Sequence, residues 1–279
     1  METTLKPEKQ DLLIREYFGG KSTTQIISKE CPHVSEREEE FFKISVDVLN
    51  KKTLNESLNF FTHGDLLEGD NKYHCGACNK KVDALMRSCV SALPNTLVIH
   101  MKRFEFDIET MRRVKVNDHC EFPMTLNMRP YTKEGLAHAE ATGDKSSLPP
   151  LKEDSYYEYN LVGVLVHTGT ADTGHYYSFI KERGNNSRWL HFNDTLIDYF
   201  DPADIPKQCY GGMESSSAYD GQHAKPAPAR WAQRSYSAYM LFYDRVRHYP
   251  AEPASANLNS LNDFSHCKIF QDVWTENVN

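Results

Sequence analysis

Segment 41–48, FFKISVDV, alternates Phe42, Ile44, Val46 and Val48 with Lys43, Ser45 and Asp47. Period two over that length predicts a strand with one buried face. Lys51 and Lys52 end it, and Thr53-Leu-Asn-Glu56 then has the spacing of a capping box. Leu54, Leu58 and Phe61 follow at helical intervals, predicting a short amphipathic helix over 53–62, with Gly64 and Gly69 punctuating its exit. After Pro94-Asn95, segment 97–106 has little polar interruption and is expected to be a strand covered on both faces. Segment 132–155 is small, charged and proline-containing without periodicity, so it reads as a mobile insertion. Strand signals return at 159–168, 175–181, 188–192 and 237–244. The turn-rich connection 169–174 makes the first two an expected antiparallel hairpin. Asp201-Pro202 suits an N-cap followed by the first helical position. Segment 211–230 reads as a second insertion, and the chain from Val246 onward, weakly periodic, as a tail.

Length and charge narrow the function. A chain of 279 residues holds one or two domains, and 39% apolar with 11% aromatic residues is enough for a core. The 32 Lys and Arg residues stand against 39 Asp and Glu, a formal charge of −7, which argues against non-specific nucleic-acid binding. The longest apolar run, 161–166, falls far short of the roughly 20 residues of a membrane span. Charges within the apolar stretch of the N-terminus speak against a secretory signal. Seven cysteines, an odd number, fit a reducing compartment better than a disulfide framework, so an intracellular protein is expected.

Two constellations carry chemistry. In Tyr73-His-Cys75-Gly-Ala-Cys78, two thiols three positions apart flank a small turn and can bite one tetrahedral Zn²⁺. Cys31-Pro-His33 offers a thiolate and an imidazole two residues apart, which in an extended chain point to the same side. A buried thiol at Cys31 and a surface residue at His33 fit the same letters. His74 is a competing ligand, while Cys89, Cys120, Cys209 and Cys267 lack a close Cys or His partner and read as inert thiols.

The second constellation is Gly174-His175-Tyr176-Tyr177-Ser178, which opens a strand directly after a glycine-flanked loop. A histidine at a strand mouth suits a general base, and Gly174 beside it leaves room for a substrate backbone. Trp189-Leu-His-Phe192-Asn193-Asp194 ends another strand with an amide and a carboxylate, either of which can accept the imidazole Nδ1–H and fix the tautomer. A strand-end histidine and a turn-forming Asn-Asp pair are the plainer reading of the same residues.

At these residues the chain resembles the ubiquitin-specific proteases, papain-like thiol deubiquitinases built of fingers, palm and thumb. Segment 159–167 with Gly174-His175-Tyr176-Tyr177-Ser178 is similar to the family's histidine box. Trp189 with Phe192-Asn193-Asp194 is similar to the box of the third triad member, and Ala238-Tyr239 through Tyr243 to its closing strand. Leu93-Pro94 with Lys102-Arg103-Phe104 resembles the palm strand. Tyr17-Phe18-Gly19-Gly20, Cys31-Pro-His33 and the 75–78 knuckle resemble zinc-bearing fingers. Segments 68–73 and 208–212 resemble the very large members grouped with Fat facets.

The resemblance implies an α+β, papain-like ubiquitin-specific protease fold with β-rich fingers (about 17–90) and palm (about 91–245). It is carried on a lead of residues 1–16, interrupted by insertions at about 132–155 and 211–230, and followed by a tail at 246–279. It implies His175 as general base, Asn193 as its orienter, and Asp194 as alternative orienter or polarising carboxylate. It further implies Gly174 and Tyr176 along a channel for ubiquitin's Gly-Gly tail, roofed by loop 168–174, and structural Zn²⁺ on Cys31, His33, Cys75 and Cys78. Ubiquitin or ubiquitinated proteins would be the partners, with neither nucleic acid nor membrane. The family's nucleophilic cysteine belongs to an N-terminal box leading into the thumb helices, and no cysteine here has that context. The expectation is therefore a deubiquitinase fragment without helical thumb or nucleophile, inactive alone, with an apolar palm face left exposed. The alternative is a catalytically dead ubiquitin-binding or scaffold protein.

Overall fold

The computed structural model describes residues 11–142, 146–183, 187–216 and 230–246. Helix α1 (Asp11–Phe18) leads into strands β1 (Gly20–Ser28), β2 (Val34–Phe41) and β3 (Ile44–Asp47). Helix α2 (Leu54–His63) follows, then β4 (Asp65–Leu67), the small hairpin β5 (Tyr73–Cys75) and β6 (Lys80–Val82), and β7 (Ala84–Ala92). Next are β8 (Thr96–Lys102), the hairpin β9 (Phe104–Asp107) and β10 (Arg112–Lys115), β11 (Thr125–Asn127), and helices α3 (Lys133–Glu140) and α4 (Asp154–Tyr157). The remainder comprises β12 (Glu158–Gly169), β13 (Gly174–Lys181), β14 (Trp189–Asn193), β15 (Leu196–Phe200), α5 (Ile205–Cys209), β16 (Met213–Ser216), β17 (Arg230–Gln233) and β18 (Tyr236–Arg245).

Two sheets dominate. One is four-stranded in the order β2-β1-β7-β4, antiparallel throughout. The other has eight strands, β15-β14-β13-β12-β18-β8-β3, with β11 paired to the start of β12. Every pairing in it is antiparallel except β3 on β8. The core lies against this larger sheet. Leu97, Ile99 and Met101 of β8, Leu161, Val164 and Val166 of β12, and Leu241 and Tyr243 of β18 share one buried cluster with Leu54 and Leu58 of α2. The architecture is mixed α+β and β-rich; among the described residues the longest helix is the ten-residue α2.

Helix α2 forms where its spacing predicted. Thr53 Oγ1 accepts the Glu56 backbone N–H at 3.1 Å, and Glu56 reaches back to the Lys52 N–H at 2.8 Å. The alternating 41–48 segment is a strand only from Ile44. Ile44, Val46 and Val48 are buried as the alternation requires, whereas Phe41 still belongs to β2 and Phe42 is exposed where the chain turns. Segment 97–106 is two strands. It breaks at Arg103, a buried guanidinium that turns the backbone toward the carbonyls of Val116, Asp118 and Ala238.

The insertion expected at 132–155 is instead partly helical and packed. Thr132 caps α3 by accepting the Gly135 N–H at 3.1 Å, Arg87 of β7 pairs with Glu140, and Tyr157 of α4 is buried. A glycine is required at 135 because a Cβ there would collide with the Arg129 carbonyl. The compositional reading missed α3 because one cap and one close approach, rather than a periodic apolar face, make it. Residues 143–145 of this insertion, 217–229 of the second, the lead up to residue 10 and the tail 247–279 with Cys267 lie outside the described residues.

Two substitutions test this packing by urea denaturation. Thr53→Ala removes one cap bond and should cost about 1 kcal/mol. Leu58→Ala, cut from a fully buried position, should cost about 2–5 kcal/mol.

Candidate functional site

The β12–β13 hairpin sets His175. Its register pairs Thr168 with His175 and Gly169 with Gly174, leaving residues 170–173 as the loop. Within it Thr170 N–H donates to the Thr173 carbonyl at 2.8 Å, and Thr170 Oγ1 accepts the Thr173 N–H at 3.2 Å. Alternation along β13 places His175, Tyr177 and Phe179 on one face and Gly174, Tyr176 and Ser178 on the other. Strand β14 ends alongside at Asn193, and Asn193 pairs with Leu196 across a two-residue turn. Asp194 holds that turn at φ 51°, a left-handed conformation that aspartate tolerates.

His175 and Asn193 meet at 2.6 Å through Nε2 and Oδ1. An amide oxygen only accepts, so Nε2 carries the proton and Nδ1 keeps its lone pair. The sequence reading put the oriented proton on Nδ1. In this arrangement the ring nitrogen facing Asn193 is Nε2. Asp194 Oδ1 is 3.9 Å from the same Nε2, beyond hydrogen-bond range. Among the described residues no group hydrogen-bonds Nδ1, and no cysteine does so with either nitrogen.

On the opposite face of β13 a cleft of about 530 Å³ opens, lined by Gly174, Tyr176, His167, Phe104, Phe106 and Arg113. His167 packs edge-on against Phe104, ring centres 5.1 Å apart, and lies 4.7 Å from Tyr176. Burial, with Lys115 nearby, holds its imidazole below the usual histidine range. Gly174 was expected to leave space for a substrate; its missing side chain instead admits His167, whose imidazole and the Thr168 carbonyl occupy the place of a Cβ. Farther along the same face lies an apolar concavity of about 610 Å³ bounded by Phe18, Leu165, Ile180, Leu190, Phe192 and Phe242.

Cys31, Cys75 and Cys78 converge, their sulfurs all within 4.8 Å of one another. Cys31 and Cys75 Sγ are 3.7 Å apart. Two sulfurs held at about 2.3 Å by one tetrahedral ion lie about 3.8 Å apart, so this group can hold a metal. The Ser28 hydroxyl 3.2 Å from Cys31 Sγ, aided by the His33 backbone, lowers that thiol to about 7. Burial raises Cys78. The His33 ring stands outside the group. Segment 29–32 is a bend between β1 and β2 rather than extended chain, so residues two apart do not share a side; the His33 carbonyl accepts the Ser28 N–H at 3.1 Å instead.

Cys89, Cys120 and Cys209 are buried, as expected of inert thiols. Burial pushes Cys89 and Cys120 up to about 11 and Cys209 higher still. Sequence reasoning missed Lys115, whose ammonium lies beneath loop 170–173, because a lysine closing the run Arg112-Arg113-Val114-Lys115 carries no mark of burial.

Residues 1–243 match the family described as ubiquitin carboxyl-terminal hydrolase. The chain belongs to that family. Human ubiquitin carboxyl-terminal hydrolase 34 is 37% identical over 281 residues, covering 98% of this chain and 8% of the human protein. The probable ubiquitin carboxyl-terminal hydrolase FAF of Drosophila melanogaster is 37% identical over 262 residues, covering 90% of this chain and 9% of its own length. The chain thus spans less than a tenth of these relatives. Among solved structures, the SAGA Ubp8/Sgf11/Sus1/Sgf73 DUB module bound to ubiquitin aldehyde superimposes with a TM-score of 0.63 at 26% identity, over 87% of this chain and 45% of that one. The β-rich α+β architecture is that of the ubiquitin carboxyl-terminal hydrolase fold, and among the described residues no helix is long and apolar enough to cross a membrane.

Thiol labelling separates the cysteines. In the folded chain at neutral pH, iodoacetamide should leave Cys89, Cys120 and Cys209 unmodified, since buried thiols with raised pKa hold little thiolate. Mass spectrometry should find them modified only after denaturation, and early labelling of any would contradict this burial.

Proposed function

We propose that residues 17–245 are part of a ubiquitin-specific protease domain that hydrolyses the isopeptide bond after ubiquitin's terminal glycine, with His175 as its general base. The observation that carries this reading is the 2.6 Å contact of His175 with Asn193 at the end of the β12–β13 hairpin. Asn193 orients the imidazole, and Asp194 supplies a nearby carboxylate. The four-stranded sheet supports the assignment of fingers to about 17–90, and the eight-stranded sheet that of palm to about 91–245. The cleft at Gly174 and Tyr176 takes the Gly-Gly tail, two residues whose lack of side chains suits a narrow slot.

The chemistry follows from the protonation pattern. Nδ1, with its lone pair, takes the proton of an incoming thiol. The thiolate attacks the glycine carbonyl carbon, the C–N bond breaks, and the imidazolium returns the proton to the leaving lysine amine. Water, deprotonated by His175, then cleaves the thioester and restores the thiol. The attacking thiol comes from outside the described residues. Cys31, Cys75 and Cys78, with His33 as the fourth ligand implied by the resemblance, would hold one structural Zn²⁺, which would tie the bend of the β1–β2 hairpin to the β5–β6 hairpin.

Incubating the 279-residue chain with a fluorogenic ubiquitin C-terminal amide and with a thiol-reactive ubiquitin probe tests the reading. The expected result is ubiquitin binding with no turnover and no adduct. Turnover abolished by mutating one of the seven cysteines would place the nucleophile within this chain and overturn that part. A longer chain of the same protein should turn over and lose activity on His175→Ala; a longer chain that binds without turnover would favour a non-catalytic ubiquitin-binding protein. Metal analysis should find one zinc per chain, lost on Cys75→Ser, and chelation should lower the thermal stability of the intact protein.

A further inference from the structure

Lys115 ends β10 with its half-buried ammonium beneath the loop that leads to His175. It donates to three backbone carbonyls: His167 at 3.0 Å, Gly169 at 3.2 Å and Ser235 at 2.6 Å. No carboxylate pairs with it among the described residues. Its neighbouring charge is another cation, Arg103, whose Nε donates to the Ala238 carbonyl and whose Nη1 donates to those of Val116 and Asp118. Burial and that repulsion press Lys115 down to about 8. A cation kept there against both forces is held by the carbonyls it collects, and charge-assisted bonds of this kind are stronger than neutral ones.

The position of those carbonyls gives the ammonium its meaning. His167 and Gly169 form the incoming stem of loop 170–173, whose outgoing stem is Gly174-His175. Ser235 directly precedes β18 and also accepts the Gly169 N–H at 2.9 Å. Lys115 itself belongs to the β9–β10 hairpin, which supplies Phe104, Phe106 and Arg113 to one wall of the cleft, while loop 170–174 supplies the opposite wall. We infer that Lys115 is a positioning residue for His175: one ammonium clips the β9–β10 hairpin to the stem of the 170–173 loop and thereby fixes both the width of the cleft and the place where the imidazole meets Asn193.

The inference rests on the reading of His175 as the base, but its test needs no turnover. Lys115→Met keeps the aliphatic stem and removes the charge; Lys115→Arg keeps the charge on a planar fork that cannot reproduce three convergent bonds. Amide exchange and the His175 ring-proton signal would be followed by NMR in the 279-residue chain, with binding of a synthetic peptide ending in Gly-Gly. In Lys115→Met, amides 169–174 should exchange at least about tenfold faster while those of β8 keep their protection. The signal of the Nε2 proton held by Asn193 should broaden or vanish, and peptide binding should weaken, with Lys115→Arg intermediate in all three. Unchanged loop exchange and an unchanged His175 signal would overturn the inference, as would a uniform loss of protection throughout the sheet. Should Lys115→Met fail to fold, the same comparison on Lys115→Arg decides: loss confined to 169–174 supports the clip, and unchanged or uniform exchange rejects it. Failure of the base reading is separate, since it would appear as turnover surviving His175→Ala in a longer chain.

Discussion

The register of β12 is the constraint the rest of the structure inherits. Its backbone is bonded along both edges, to β13 and to β18, with β11 added at its start. Side chains on a strand change face with every residue, so a slip by one position would exchange core and surface along its whole length. A bulge between Leu161 and Gly163 resets the phase, which is how Leu161 and Val164, three apart, both reach the core. On β18 a second irregularity lets Ala238 and Leu241 do the same. The face that His175 occupies is a consequence of this pairing and cannot be adjusted independently of the core.

The cost of that arrangement is concentrated where β8, β12 and β18 come together near their ends. Arg103 is buried and Lys115 half-buried, and both find their hydrogen-bond acceptors among main-chain oxygens. Such groups contribute little to net stability, because desolvation offsets much of what the hydrogen bonds return. Their value lies in geometry: six carbonyl contacts from segments far apart in sequence converge on two side chains. A hydrophobic replacement would fill the volume but would not fix the angles of those peptide groups.

Much of this was legible in the chain. Period-two alternation marked Ile44, Val46 and Val48, the Thr53–Glu56 spacing marked α2, and the glycine-flanked loop marked the β12–β13 hairpin, because each is a local signal. The pairings of His175 with Asn193 and of Cys31 with the 75–78 knuckle were open readings of residue chemistry that the resemblance made specific, since spacing says nothing about which strands become neighbours. What escaped was non-local or small. Helix α3 begins on a Thr132 cap and a close approach at Gly135 rather than on a periodic apolar face, and β15 exposes Leu196, Ile197 and Tyr199 and so lacks a buried face to announce it. The ring nitrogen facing Asn193 is set by the orientation of the imidazole, which spacing does not reveal, and the bend at Cys31 removes His33 from the side that an extended chain would have given it.

Gly174 shows what such crowding means for inheritance. The smallest possible addition at this position, one methyl group, meets the His167 imidazole and the Thr168 carbonyl at once. Neither can retreat easily, since His167 is wedged against Phe104 and Tyr176 and the carbonyl belongs to the hairpin backbone. In a saturation screen, position 174 would therefore tolerate nothing but glycine and would score alongside the histidine that follows it. Yet glycine at 174 contributes no functional group at all. Intolerance to change there records a shortage of volume, and genetics alone would mistake it for chemistry.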